Sequence, residues 1–241
     1  MVVPALSVQS CTTATRTPLP SEASASDVLG QIGAGEATFS TIARAAGGLQ
    51  SASASRALEL LAAKRMVARE LPLSTRPSRE ARYRIADPYL RFWLRFVGPY
   101  LADIERGRAD RVIARVRSGW SSWRGRAVEP VVREALGRLL PVGGLGGAVV
   151  GGYWTRTNVP EVDLAGADRG PLAGAVTFTG SIKWLDTATF DDADLVALAA
   201  ATAQVPGAGP ETPPVAVSRS GVTAHQALAF GPEQLLGAWS S

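Results

Sequence analysis

The chain has 241 residues, of which 46% are hydrophobic and 19% charged, which supports one large domain or two small ones and excludes a wholly disordered chain. The net charge of +4 hides an asymmetry: residues 1–140 carry 21 Lys and Arg against 12 Asp and Glu, and residues 141–241 carry 4 against 9. A basic first half (+9) joined to an acidic second half (−5) points the first half toward a polyanion.

Residues 1–25 are rich in Ser, Thr, Ala and Pro without periodicity, and read as a loose tail. Ser26-Asp27 can cap a short helix through Ile32, which Gly33 and Gly35 end. Thr38 can cap a second helix through Ala46, stopped by Gly47-Gly48. Ser51 or Ser53 can cap a third, Ala54 to Arg65, whose Ala57, Leu58 and Leu61 form one inward stripe. Two strand-like runs follow, Met66–Leu71 and Ala81–Ile85, around a polar loop from Pro72 to Glu80. Three short helices and a hairpin are the order of a winged helix-turn-helix over residues 26–86.

Asp87-Pro88 opens an aromatic helix with Tyr89, Phe92, Trp93 and Phe96, interrupted by Pro99. A strongly basic helix is expected from Leu101 to Arg117 and another from Gly125 to Leu140, so residues 87–124 connect two modules. Pro141 to Gly152 reads as a glycine-rich linker. Strands are expected at Val149–Trp154, Glu161–Ala165, Ala175–Trp184 and Val215–Ser218. A helix capped by Asp191-Asp192 is expected over Ala193–Ala203, and a last short turn from Gln226 to Leu228. Residues 125–241 are therefore a mixed α/β domain.

Cys11 is the one cysteine, which rules out an internal disulfide and a cysteine zinc site and suits a reducing cytoplasm. Val8–Cys11 lacks the basic and apolar runs of a lipoprotein signal, and no stretch nears the ~18 apolar residues of a membrane span. In the winged-helix reading Ser51, Ser53, Ser55 and Arg56 start the helix that meets DNA. Arg76, Arg79, Arg82 and Arg84 of the wing neutralise phosphates in that reading. The alternative is a winged helix used only for protein contacts, with these arginines on a solvated face.

The run Arg82-Tyr83-Arg84-Ile85-Ala86-Asp87-Pro88-Tyr89-Leu90-Arg91-Phe92-Trp93 resembles the join between winged helix and C-terminal module in archaeal-type AAA ATPases. Val128-Glu129-Pro130-Val131-Val132-Arg133-Glu134, Gly152-Tyr153-Trp154 with Glu161-Val162-Asp163, and Lys183-Trp184 agree in order and spacing, so the resemblance spans about residues 28–235. It implies a C-terminal domain of unknown function with a restriction-endonuclease-like fold. The ATPase portion is missing: no Gly-x-x-x-x-Gly-Lys-Ser/Thr is present, so no ATP site is expected.

The resemblance also implies a degenerate PD-(D/E)xK site. Such a site needs an Asp on one strand, and an acid and a Lys two apart on the next, to hold Mg²⁺ against a scissile phosphate. Asp163 matches the first acid, Lys183 the lysine and Glu129 a helix acid, but Ser181 stands where the second acid belongs, and serine is a poor Mg²⁺ ligand. Glu161, two residues before Asp163 on the same strand face, is the candidate substitute. Three outcomes stay open: Mg²⁺-dependent cleavage, nucleic-acid binding without cleavage, and an Asp163–Lys183 ion pair that is only structural. His225 near Ser218 and Ser220 does not make a hydrolase triad, and Asp186, Asp191, Asp192 and Asp194 read as a helix start rather than a metal loop. DNA is the expected partner, with docking on an ATPase or on a second copy through Tyr89–Val97 as the competing expectation.

Overall fold

The structure, a computed structural model, describes residues 20–140 and 145–240; Cys11, most of the expected tail and residues 141–144 of the linker lie outside the described residues. Helix α1 spans Pro20–Ala34, so the expected start at Ser26 is corrected: Ser26 and Asp27 lie inside the helix. Burial of Ala25, Val28 and Ile32 in one core explains this, because tertiary packing overrides weak local propensity. Helix α2 spans Phe39–Ala45 and opens on a Thr38/Thr41 capping box. Helix α3 spans Ser51–Ala63 with Gln50 at the cap position and no side-chain cap bond, so neither Ser51 nor Ser53 caps it.

Strands β1 (Val67–Glu70) and β2 (Arg82–Ile85) pair antiparallel with Val67 opposite Ile85, and Thr38 bridges to Arg82 from the other side. One buried cluster holds these elements together: Val28, Ile32, Ile42, Leu58, Leu61 and Ile85.

Asp87 accepts from the Leu90 N–H at 2.6 Å and starts α4, Pro88–Phe92, with Pro88 in the first turn where its missing N–H costs nothing. The backbone then widens into a π-helical turn at Trp93–Val97, tightens into a 3₁₀ turn at Gly98–Tyr100, and continues as α5, Leu101–Glu105. Helix α6 is continuous from Ala109 to Leu139. The expected break between Arg117 and Gly125 does not occur, and a module boundary at residues 124–125 falls inside this helix. The reason is an aromatic cluster. Trp120 stacks on Trp123 with centroids 5.2 Å apart, and Phe92 and Phe96 meet Trp123 edge-on at 5.7 and 5.9 Å. Gly119 leaves room beneath it, since a Cβ there would lie a tight 3.0 Å from the Phe96 ring.

A five-stranded mixed sheet follows, in the order β3 (Val149–Trp154), β4 (Glu161–Ala167), β5 (Val176–Lys183), β6 (Pro214–Ser218), β7 (Leu228–Phe230). The first two pairings are antiparallel and the last two parallel. Helix α7 (Asp192–Thr202) makes the crossover between the parallel strands β5 and β6, and α8 (Pro232–Gly237) closes the chain. Val215 and Val217 pack with Val132 and Leu136 of α6, while Ala216 between them packs with Leu198 of α7, so the sheet carries helices on both faces. The chain is thus mixed α/β. Among the described residues no helix is long and apolar enough to cross a membrane.

The loop between β1 and β2 is docked on the sheet rather than standing free. The Leu73 N–H donates to the Gly152 carbonyl at 2.8 Å, the Ala173 N–H to Ser74 O at 2.9 Å, and the Thr75 N–H to Pro206 O at 3.1 Å. The Trp154 indole donates to Glu80 O at 2.7 Å, and Leu73 is buried with Ala165, Ala167 and Ala173.

Candidate functional site

The β4–β5 ladder pairs Leu164 with Gly180 and goes no further toward Glu161. Past that point the Asp163 carboxylate takes the place of a backbone acceptor. Its Oδ2 receives the Ile182 N–H at 2.8 Å and the Ser181 hydroxyl at 3.0 Å. Register alone brings Asp163 and Ser181 together, as the alternation expected of the two strands requires.

Lys183 does not join them. Its ammonium pairs with Asp194, in the first turn of α7, which also accepts the Asp191 N–H. The expected Asp163–Lys183 ion pair is therefore corrected. Asp194 wins because it belongs to the capping box that opens α7 and is held facing the end of β5. Glu161 is exposed and paired with Arg82 at 2.6 Å, so it is committed elsewhere and does not replace the missing acid.

Glu129 sits on α6 beside Arg133, one helical turn on. The Arg133 guanidinium is the hub of the region. It donates to the Asp163 carbonyl at 3.0 Å, to Glu70 of β1 at 3.0 Å and to Glu129 at 3.5 Å. Gly152 gives it room: a Cβ there would lie 2.6 Å from Arg133 Nη2. A cleft of about 240 Å³ opens at this junction, lined by Glu70, Arg84, Pro130, Arg133, Gly152 and Trp154.

Burial pushes the Asp163 carboxyl above the usual carboxylate range, against the Ile182 and Ser181 hydrogen bonds and the Arg133 charge, which favour its ionised form. Burial likewise raises Glu129, with Arg133 opposing and the Asp163 and Glu161 charges adding. The two acids therefore sense each other's charge, but among the described residues no group of three or more His, Cys, Asp or Glu is placed to hold a metal ion. The donor set does not fit Mg²⁺. One acid is held by internal donors, another faces Arg82, and the position between Gly180 and Ile182 offers only a hydroxyl.

The candidate DNA-facing residues divide. Ser51 and Arg56 are exposed on α3, and Ser53 and Ser55 are half-buried; Arg56 Nε donates to the Ala52 carbonyl at 3.2 Å. Arg76 and Arg79 are exposed. Arg82 is turned inward: besides Glu161 it reaches Asn158 at 2.8 Å and lies 4.5 Å over the Trp154 ring. Arg84 pairs with Glu70. Of these four arginines, Arg82 thus ties the hairpin to the sheet and Arg84 pairs within the hairpin itself.

Residues 93–200 match the DUF234 family model, described as archaea bacterial proteins of unknown function. No curated protein and no solved structure matches the chain. The matched segment runs from the π-helical turn through most of α7, and so contains Glu129, Arg133, Asp163, Ser181, Lys183 and Asp194. Arg133 escapes a search for acids and a lysine, and Asp194 reads in the sequence as part of a helix start rather than as the partner of Lys183. Their only sequence signals are the i,i+4 spacing from Glu129 and the helix-opening aspartates.

Proposed function

We propose that this chain binds nucleic acid without cutting it. In this reading a winged helix-turn-helix (α1–α3, β1 and β2) is joined through α6 to a degenerate restriction-endonuclease-like domain, as in the C-terminal region of archaeal-type AAA ATPases. The order of three helices and a hairpin, with Thr38 bridged to β2 as a third short strand, supports the first module. The mixed sheet, with Asp163 and Ser181 paired on adjacent strands, supports the second.

One observation carries the absence of cleavage. The two groups that would hold and orient a metal-bound water are satisfied by the chain itself, Asp163 by Ser181 and Ile182, and Lys183 by Asp194. A phosphate arriving there would meet a filled hydrogen-bond network and no second acid.

Incubation with supercoiled plasmid tests the reading. The expected result is retarded migration with the plasmid left supercoiled, in Mg²⁺ and in Mn²⁺ alike. Nicking that Asp163→Ala abolishes would establish a nuclease instead, and unshifted plasmid at low salt would remove nucleic-acid binding altogether.

A further inference from the structure

Residues 101–126 hold seven arginines against three acids, a balance of +4, which equals the net charge of the whole chain. Residues 1–100 carry +5 over a stretch about four times as long, and residues 141–241 carry −5, so the cationic excess is densest in this segment. Arg106, Arg108, Arg111, Arg115, Arg117 and Arg126 are all exposed. Among the described residues Arg106, Arg111, Arg117 and Arg126 make no ion pair, and Arg108 has only a long contact with Asp103, at 3.9 Å. The wing behaves differently, since Arg82 and Arg84 are both paired inward.

Helical geometry aligns the free cations. At about 100° per residue, Arg111, Arg115 and Arg126 fall within about 60° of arc along about 22 Å of α6. Arg106 and Arg108 are exposed in the turn before the helix, and Arg117 lies about 120° round the helix from Arg111. Six exposed like charges repel one another and weaken the free protein, and a polyanion relieves that cost by exchanging phosphates for counterions.

We infer that the phosphate-binding surface is this arginine ridge on α6 and the turn before it, and that its partner is the backbone of a nucleic-acid duplex. The inference rests on the nucleic-acid reading and locates its main contact away from the hairpin. A duplex fits the regular spacing of these cations along about 22 Å of one helix face, whereas Arg115 lies 4.4 Å over Tyr100 and Trp120 stacks on Trp123, so each of these rings has one face already covered.

Fluorescence anisotropy with a labelled 20-base-pair duplex at low salt tests this in the full chain. The triple variant Arg111→Ala/Arg115→Ala/Arg126→Ala changes only exposed side chains, and is expected to bind about tenfold or more weakly, with a shallower salt slope by about two to three units. Arg156→Ala/Arg169→Ala, on the sheet module, is expected to bind as the parent does. Arg56→Ala/Lys64→Ala/Arg65→Ala on α3 is expected to lose less than the ridge variant. An α3 variant that loses as much as the ridge variant or more would overturn the ridge and keep nucleic-acid binding, as would tighter binding to a single strand than to the duplex. No binding by the parent protein would overturn both.

Discussion

The Arg91 guanidinium donates at 3.1 Å to the carbonyl of Arg126, the helical acceptor that Pro130 leaves without an N–H donor. A proline inside α6 is thus accommodated by a side chain from α4. Burial lowers the Arg91 pKa, with the nearby Glu129 charge opposing. Arg91→Ala is expected to cost about 1 kcal/mol in urea unfolding. Pro130→Ala restores the helical bond and is expected to stabilise by up to about 3 kcal/mol. In the double variant the Arg91 loss should shrink toward zero. A loss as large as in the parent would show that this bond does not offset the proline.

Arg133 ties β1, α6 and β4 into one network with its side chain only 13% exposed. Arg133→Ala leaves Glu70 and Glu129 without their shared cation and is expected to destabilise by about 3 kcal/mol. Arg133→Lys should recover little, because one ammonium nitrogen cannot span acceptors that the planar guanidinium reaches through Nε, Nη1 and Nη2. Adding Glu129→Gln to Arg133→Ala should recover part of the loss, which chemical denaturation can read directly. A loss below about 0.5 kcal/mol would mean that the modules are held without this hub.

The raised pKa values of Asp163 and Glu129 have a defined sign. Burial is the main cause of both. Between their unfolded and raised folded values the folded state holds more protons, so their contribution is fully present below the unfolded pKa and declines as pH rises through the folded pKa. The stability of Glu129→Gln relative to the parent should therefore be greater at pH 7.5 than at pH 4. Thermal melts at the two pH values read this, and an equal difference at both would show that Glu129 is not perturbed.

Ser181→Glu would place a second carboxylate beside Asp163. Mn²⁺ binding followed by electron paramagnetic resonance is expected to be weak in the parent and clearly tighter in the variant. Equal binding by both would show that Ser181 is not the position that limits the site.

Much of the fold was legible in the sequence, and the exceptions have physical causes. β3 begins and ends where its apolar run does, and Thr38 and Asp191 cap their helices as hydroxyl and carboxylate at those places should. The continuity of α6 was hidden: Gly119, Gly125 and the serines between them are poor helix formers, and the Phe92, Phe96, Trp120 and Trp123 cluster, with the Arg124–Asp186 ion pair, holds that stretch. Helix α8 was missed because its Gly231-Pro232 start reads equally well as a turn. At the site, strand register carried Asp163 to Ser181. The partners of Lys183 and Arg82 were not legible, since each depends on a tertiary approach that spacing does not encode.

The most direct test of binding without cleavage is the affinity of the parent protein for a 20-base-pair duplex as a function of salt. The account predicts a logarithmic slope of about −3 to −5, from the exposed arginines of α6 and the turn before it, with the duplex recovered intact in Mg²⁺. An affinity that does not change with salt, or one no better than for a neutral polymer, would contradict it.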